Sequence, residues 1–185
     1  MGLTATAGLS VAEYLSWEAQ QPDKHEFVSG EVFAMVGVTR RHAAVAINLV
    51  NVLSNHLRDG PCRIYMSDMK LQVETANAFY YPDVFVTCDP DDHRADNFMS
   101  SAVLIVEILS PSTAAYDRGE KFAAYRKLAS LKEYLLIDPE LKRAECFRRD
   151  ESGLWVLHEP SVDGSLALQS IDLRIASEDV FRRVD

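Results

Sequence analysis

Cysteine, long apolar runs and positive charge are what this sequence is short of. Cys62, Cys88 and Cys146 are its only cysteines, odd in number, far apart and in no CxxC pair. That pattern argues against a zinc knuckle and against the disulfide framework of small secreted domains, and leaves reduced, mostly buried thiols as the expectation. No apolar run approaches the roughly 20 residues of a membrane span, and the opening MGLTATAGLS lacks the charged and strongly apolar regions of a secretory signal. A cytoplasmic protein without membrane segments is expected. Lysine and arginine number 19 against 28 aspartates and glutamates, a net charge of -9. Affinity for phosphates comes from clustered cations, so this balance weighs against a nucleic-acid partner without excluding one. The acids are unevenly placed: DPDDHRAD at 89 to 96 holds four, while RR at 40 to 41, RGEK at 118 to 121 and the pairs near 142 to 149 are locally basic.

What is present suits a folded domain. Of 185 residues, 48% are hydrophobic and 25% charged, and no linker, repeat or low-complexity tract divides them, so residues 1 to 185 are read as one domain. SVAEYLSWEAQ at 10 to 20 predicts a short helix capped by Ser10, with Glu13 completing a capping box. HEFVSGEVFAM predicts a hairpin turning at Ser29-Gly30. A helix is expected from about Arg41 to Leu57, since Val45, Leu49, Val52, Leu53 and Leu57 recur at helical spacing and Gly60-Pro61 ends it. Strands are expected at 63 to 73, 80 to 88, 102 to 109 and 133 to 138, with a helix from Asp117 to Ala129 before the last. The tail predicts a β-hairpin around 150 to 153, a short strand near 165 to 175 and a turn of helix from Ser177. The order helix, three strands, helix, strand is an α/β (α+β) core with a mixed sheet.

Three polar residues occupy positions that folding alone would not choose. Glu107 interrupts the apolar run VLIVEIL, which reads as a strand covered on both faces, where an unpaired charge is expensive. Asp83 follows Pro82 at the entry to VFVTC. If the two strands pair, both carboxylates meet at one end of the sheet, where a hard divalent ion such as Mg2+ would bridge them. The plainer readings are a turn cap for Asp83 and an ion pair for Glu107. Lys121 falls at helical spacing from Tyr125 and Leu128, which turns it toward the apolar stripe. Asp117 and Glu120 have capping-box spacing, so Lys121 is expected in the first turn, against the helix dipole. It is either a snorkelling lysine or a cation aimed at the carboxylates. His42 at the start of the long helix is a capping residue or a supporting site residue.

These motifs resemble a known family. Asp83 in PD with Glu107 on the next strand is similar to the PD-(D/E)xK nuclease superfamily. HEFVSGE, RHAAVAINLV, YPDVFV, VEILSPSTAAYDRGEKFAAYRKL and EYLLIDPE resemble the Uma2 family (DUF820) of restriction-type endonucleases over nearly the whole chain. The resemblance implies a restriction-endonuclease-like core with an added N-terminal helix and hairpin. It further implies Mg2+-dependent (or Mn2+-dependent) hydrolysis of DNA, with Asp83, Glu107 and the carbonyl of Ile108 holding the metal and Lys121 as the catalytic cation.

One departure from the superfamily matters: the (D/E)xK lysine would fall at Leu109, so Lys121 on the following helix is the matching residue, with Lys70 as runner-up. The acid that relatives carry on their first helix is missing, and Glu31, or after it Glu26, stands in for it. His42 matches a family histidine. Cutting both strands of DNA would need two sites, so a homodimer is expected, with the hairpin near 143 to 159 as its surface through Phe147 and Trp155. The alternative is a nuclease fold kept as a catalytically inactive binding or regulatory module, favoured by the acidic balance and the absence of a helix-turn-helix, zinc finger or basic arm.

Overall fold

The computed structural model describes residues 2–4 and 8–185. Three strands lead into the first sheet: β1 (Gly2–Thr4), then, after helix α1 (Val11–Glu18), the hairpin β2 (His25–Val28) and β3 (Glu31–Ala34). Ser10 caps α1 and Glu13 closes the capping box, as the sequence predicts. Ser29 and Gly30 both take positive φ, the two-residue turn that twists with its strands. Helix α2 (Arg40–Leu57) follows, capped by Thr39.

The stretch from 63 to 73 is not one strand. A turn at Ser67–Met69, closed by Met69 N–H donating to the Met66 carbonyl, splits it into β4 (Arg63–Met66) and β5 (Lys70–Val73), which join different sheets. The stretch from 80 to 88 divides likewise into β6 (Ala78–Tyr80) and β7 (Val84–Thr87), because Pro82 has no N–H for a ladder. Then come β8 (Phe98–Met99), β9 (Ala102–Ile108) and two short helices, α3 (Ala114–Tyr116) and α4 (Phe122–Tyr125), joined by a π-helical turn at Asp117–Lys121. Strands β10 (Glu133–Asp138), β11 (Arg143–Arg149) and β12 (Trp155–His158), the hairpin β13 (Ser165–Leu168) and β14 (Leu173–Ala176), and helix α5 (Ser177–Val180) complete the chain.

Two six-stranded sheets result, ordered β1-β3-β2-β6-β5-β8 and β12-β11-β10-β9-β7-β4. In the second, β9 runs parallel to β10 and antiparallel to β7, so the sheet is mixed. Its one face takes Val45, Leu49 and Leu53 of α2 against Val84, Val86, Leu104 and Val106. Its other face takes Phe122 and Tyr125 of α4 against Phe85, Ile105 and Tyr134, with the first sheet beyond. Each buried side chain of this size contributes about 2 kcal/mol. Helix α2, strands β4, β7 and β9, helix α3–α4 and strand β10 reproduce the expected helix, three strands, helix, strand.

One local expectation fails. The helix begins at Ala114, three residues before Asp117, because Thr113 and Ser110 already start it: the Ala114 N–H donates to the Ser110 carbonyl and the Asp117 N–H to that of Thr113. Asp117 therefore caps nothing. Phe147 and Trp155 are half-buried, each packed on the Phe122 ring, while Leu154, Val156 and Leu157 of the same hairpin are exposed.

The cysteines also depart from expectation. Cys62 and Cys88 form a disulfide, leaving Cys146 free and buried. Arg63 pairs with Thr87 in the β4–β7 ladder, and one step further the two cysteines face each other, a register hidden until the breaks at 67 and 82 are known. The bond closes a loop with a sequence separation of 26. Burial, with Glu133 beside it, pushes the Cys146 thiol up to about 12, so it resists alkylation in the native state. Reduction under native conditions is expected to lower unfolding stability by about 3 kcal/mol, measured by denaturant titration with and without phosphine reductant; coincident curves would contradict the tether.

Candidate active site

The register of β7 and β9 builds the site. Val84 pairs with Val106, so Asp83, one residue before β7, stands across from Glu107. The side chain of Glu107 leaves the sheet on the α4 side, because Leu104, Val106 and Ile108 take the α2 side. Helix α3–α4 lies over that face, and its π turn brings Asp117 and Lys121 inward together while Arg118, Gly119 and Glu120 remain exposed. Such turns insert a residue into the helical ladder and recur at functional sites.

Lys121 is the hub. Its Nζ lies 3.0 Å from Glu107 Oε1, 3.0 Å from Glu26 Oε1 and 3.9 Å from Asp117 Oδ1. Glu107 Oε1 also accepts from the Tyr125 hydroxyl at 2.8 Å. Asp83 Oδ2 accepts from the Ile108 N–H at 2.7 Å and lies 3.1 Å from His42 Nε2. The His42 N–H in turn donates to the Thr39 hydroxyl that caps α2. Behind this layer, Glu18 of α1 accepts from the His25 N–H and the Tyr81 hydroxyl, each at 2.8 Å, and the Tyr81 N–H reaches Glu26 at 3.3 Å. The first helix thus anchors the two segments that deliver Glu26 and Asp83.

Four carboxylates consequently face one lysine and one histidine. Burial pushes the carboxyl of Glu107 well above its usual range; Lys121 opposes the rise, and Asp83, Asp117 and Glu26 add to it. Burial likewise raises Asp117, against the pull of Lys121. For Lys121 burial alone would favour loss of the proton, yet Glu107, Glu26 and Asp117 together hold it well above the ordinary lysine value. The direction is shared but the causes differ: burial lifts the two acids, and the negative charge around it lifts the lysine.

The cluster floors a cleft of about 270 Å3 between the Met35–Thr39 segment and the Ser110–Thr113 loop. Asp83, Glu107, Ile108, Lys121 and His42 all line it. Two of the expected residues do not. Glu31 stands exposed at the turn of the β2–β3 hairpin, whereas the cleft lies at the open end, so Glu26 occupies the place assigned first to Glu31. Lys70 sits with its Nζ 5.5 Å from the centroid of the Tyr81 ring, outside the cleft. Asp117 is a site residue that the sequence masked as a helix cap.

Among the described residues no three histidine, cysteine or acidic side chains form a ready-made metal cage. Two carboxylates with a backbone carbonyl are nevertheless the set that Mg2+ takes when it retains waters, and the surplus of buried carboxylate is the electrostatic condition a divalent cation relieves. The residues fit such an ion.

A mixed sheet flanked by helices on both faces is a nuclease-like fold. A crystal structure described as a putative nuclease belonging to DUF820, from Anabaena variabilis, shares this fold at a TM-score of 0.76, covering 95% of this chain and 99% of that one at 16% identity. The sequence model of the Uma2 family, described as "Putative restriction endonuclease", matches residues 11–176, and the chain belongs to that family. Two relatives from Synechocystis sp., the uncharacterized proteins slr1290 and sll1609, are 38% identical over 174 residues and 34% identical over 161 residues. The first alignment spans 94% of this chain and 92% of the relative, the second 86% and 91%.

Two measurements test the charge balance. Lys121→Met leaves the carboxylates uncompensated and is expected to cost about 3 kcal/mol near neutral pH, as for a broken buried pair. The cost shrinks as pH falls and the raised Glu107 and Asp117 carboxyls take up protons. For Asp117 the folded pKa is raised, so its contribution is full below its ordinary 3.8 and is lost as pH rises through the raised value. Asp117→Asn cannot ionise, and its unfolding temperature in chelator-treated buffer is expected to gain on that of the parent protein from about pH 4 to pH 8. The opposite trend would contradict the assignment.

Proposed function

We propose that this protein is a metal-dependent endonuclease that hydrolyses DNA phosphodiester bonds. The observation that carries the reading is the meeting of Asp83, Glu107 and Lys121 on the floor of one cleft, within a nuclease-type fold. Asp83, Glu107 and the Ile108 carbonyl would hold Mg2+, with Mn2+ as a substitute. The ion would polarise the phosphate and lower the pKa of the attacking water.

The chain's own residues do the rest. Lys121 stays protonated among its carboxylates, and its ammonium is placed to orient the water or to meet charge growing on the phosphoryl oxygens. Glu26 and Asp117 hold that ammonium in position from behind. The hydrogen bond from the Ile108 N–H fixes one oxygen of Asp83, and among the described residues no side chain or backbone donor bonds the other. The water oxygen joins phosphorus as the water gives up a proton, one phosphorus–oxygen ester bond breaks, and the departing oxygen takes up a proton, so that one water is consumed overall. Cutting both strands of a duplex would use two copies of the site, as in a homodimer.

Incubation with circular single-stranded and double-stranded DNA tests the reading, because only internal cleavage linearises a circle. Cleavage is expected with Mg2+ or Mn2+ and not in chelator. Glu107→Gln and Asp83→Asn should abolish it without unfolding the protein, and Lys121→Ala should slow it about a hundredfold or more. A Glu107→Gln protein that cuts like its parent would remove the mechanism. Metal binding by calorimetry with no cleavage of any circle would favour the binding-module reading.

A further inference from the structure

A second groove, of about 510 Å3, adjoins the cleft and shares its Met35–Val38 wall, His42 and Asp83. The rest of its lining is largely apolar and includes Ala43, Ala46 and Ile47 on α2 and Met66 on β4. Ile47 and Met66 are 58% and 36% exposed, and Val36 and Val38 on the shared wall 53% and 61%. The core positions of α2, Val45, Leu49 and Leu53, are fully buried, so Ile47 lies outside the helix's packed stripe. Single exposed apolar residues are ordinary, but four around one groove that opens onto a catalytic cleft make a surface for a ligand with an apolar face.

The cations argue in the same direction. Among the described residues that line the two cavities, Lys121 and Lys24 alone are lysine or arginine. Lys121 is spent on the carboxylates and Lys24 pairs with Asp68. Arg40, Arg41 and Arg118 are adjacent in sequence to lining residues: Arg40 and Arg41 donate to the Asp185 carbonyl, and Arg41 and Arg118 pair with Glu140 and Glu145. A duplex carries one negative charge per about 1.7 Å of axis and is held by tracks of lysine and arginine. This site has none. A single strand is also held through its phosphates, but it adds the faces of its bases, which a duplex hides in its stack and which apolar side chains can cover.

We infer that the groove receives an unpaired base of the substrate next to the phosphate held in the cleft, so that the site acts on single-stranded or splayed nucleic acid in preference to intact duplex. The inference rests on the nuclease reading and narrows it. The Met35–Val38 segment is the wall between base and phosphate, and Ile47 and Met66 form part of the floor against which the base lies.

Three fluorescent probes test it: an oligothymidylate, the same strand annealed to its complement, and the same strand with abasic residues in the middle. Binding is read by anisotropy with Ca2+ replacing Mg2+, and cleavage with Mn2+. The expected result is that the plain strand binds about tenfold more tightly than the abasic strand and is cut in preference to the duplex. The double variant Ile47→Gln, Met66→Gln should lose that tenfold difference, and the exposed control Leu154→Gln should keep it. Equal binding of plain and abasic strands, or preference for the duplex, with cleavage intact, overturns the inference and leaves the nuclease reading standing. Failure to bind or cut any probe overturns both.

Discussion

A carboxylate in the middle of a sheet covered on both faces has to be compensated, and the compensation of Glu107 organises this molecule. The partner comes from the helix that covers the strand. Lys121 reaches Glu107 only because α3–α4 crosses that face with a π turn at the right level. The same ammonium then binds Glu26 from the other sheet, so one cation ties together a central strand, a helix and the N-terminal hairpin. Removing water from four acids and one lysine is costly, and the arrangement does not balance its charge. A fold selected for stability alone would do better with apolar residues of the same size. The excess of negative charge is what the proposed metal would relieve.

Much of this was legible in the sequence, for reasons that differ between residues. The Ser10–Glu13 box and the Ser29-Gly30 turn are local chemistry, and both appear as the sequence predicts. Glu107 was legible because it breaks an apolar strand and Asp83 because it follows Pro82 at the entry to another, and pairing of the strands suffices to bring them together. Lys121 was legible from its spacing to Tyr125. The cleft brings together residues that local patterns separate, and there the reading stopped.

Glu26 was ranked behind Glu31 because alternation cannot tell the faces of a hairpin whose first three residues, His25 to Phe27, are all buried. Which end of the hairpin meets the cleft is a property of the sheet packing. Asp117 and Glu120 imitate a capping box, and only the turn begun by Ser110 and Thr113 shows that the helix starts earlier. Lys70 was drawn toward the site by reading 63 to 73 as one strand, which the turn at 67 to 69 breaks. The Cys62–Cys88 bond depends on the same break, since its register exists only once β4 is separated from β5.

The account stands or falls on whether the carboxylate surplus is a cation site. Crystals soaked in Mn2+, with data collected for anomalous signal, address that directly. The prediction is one strong peak bonded to both Asp83 and Glu107, with Lys121 beside it and Glu26 still on the lysine. A cluster without a peak at saturating Mn2+, its acids satisfied by Lys121 and His42 alone, would contradict the central claim and make the buried charges a structural device.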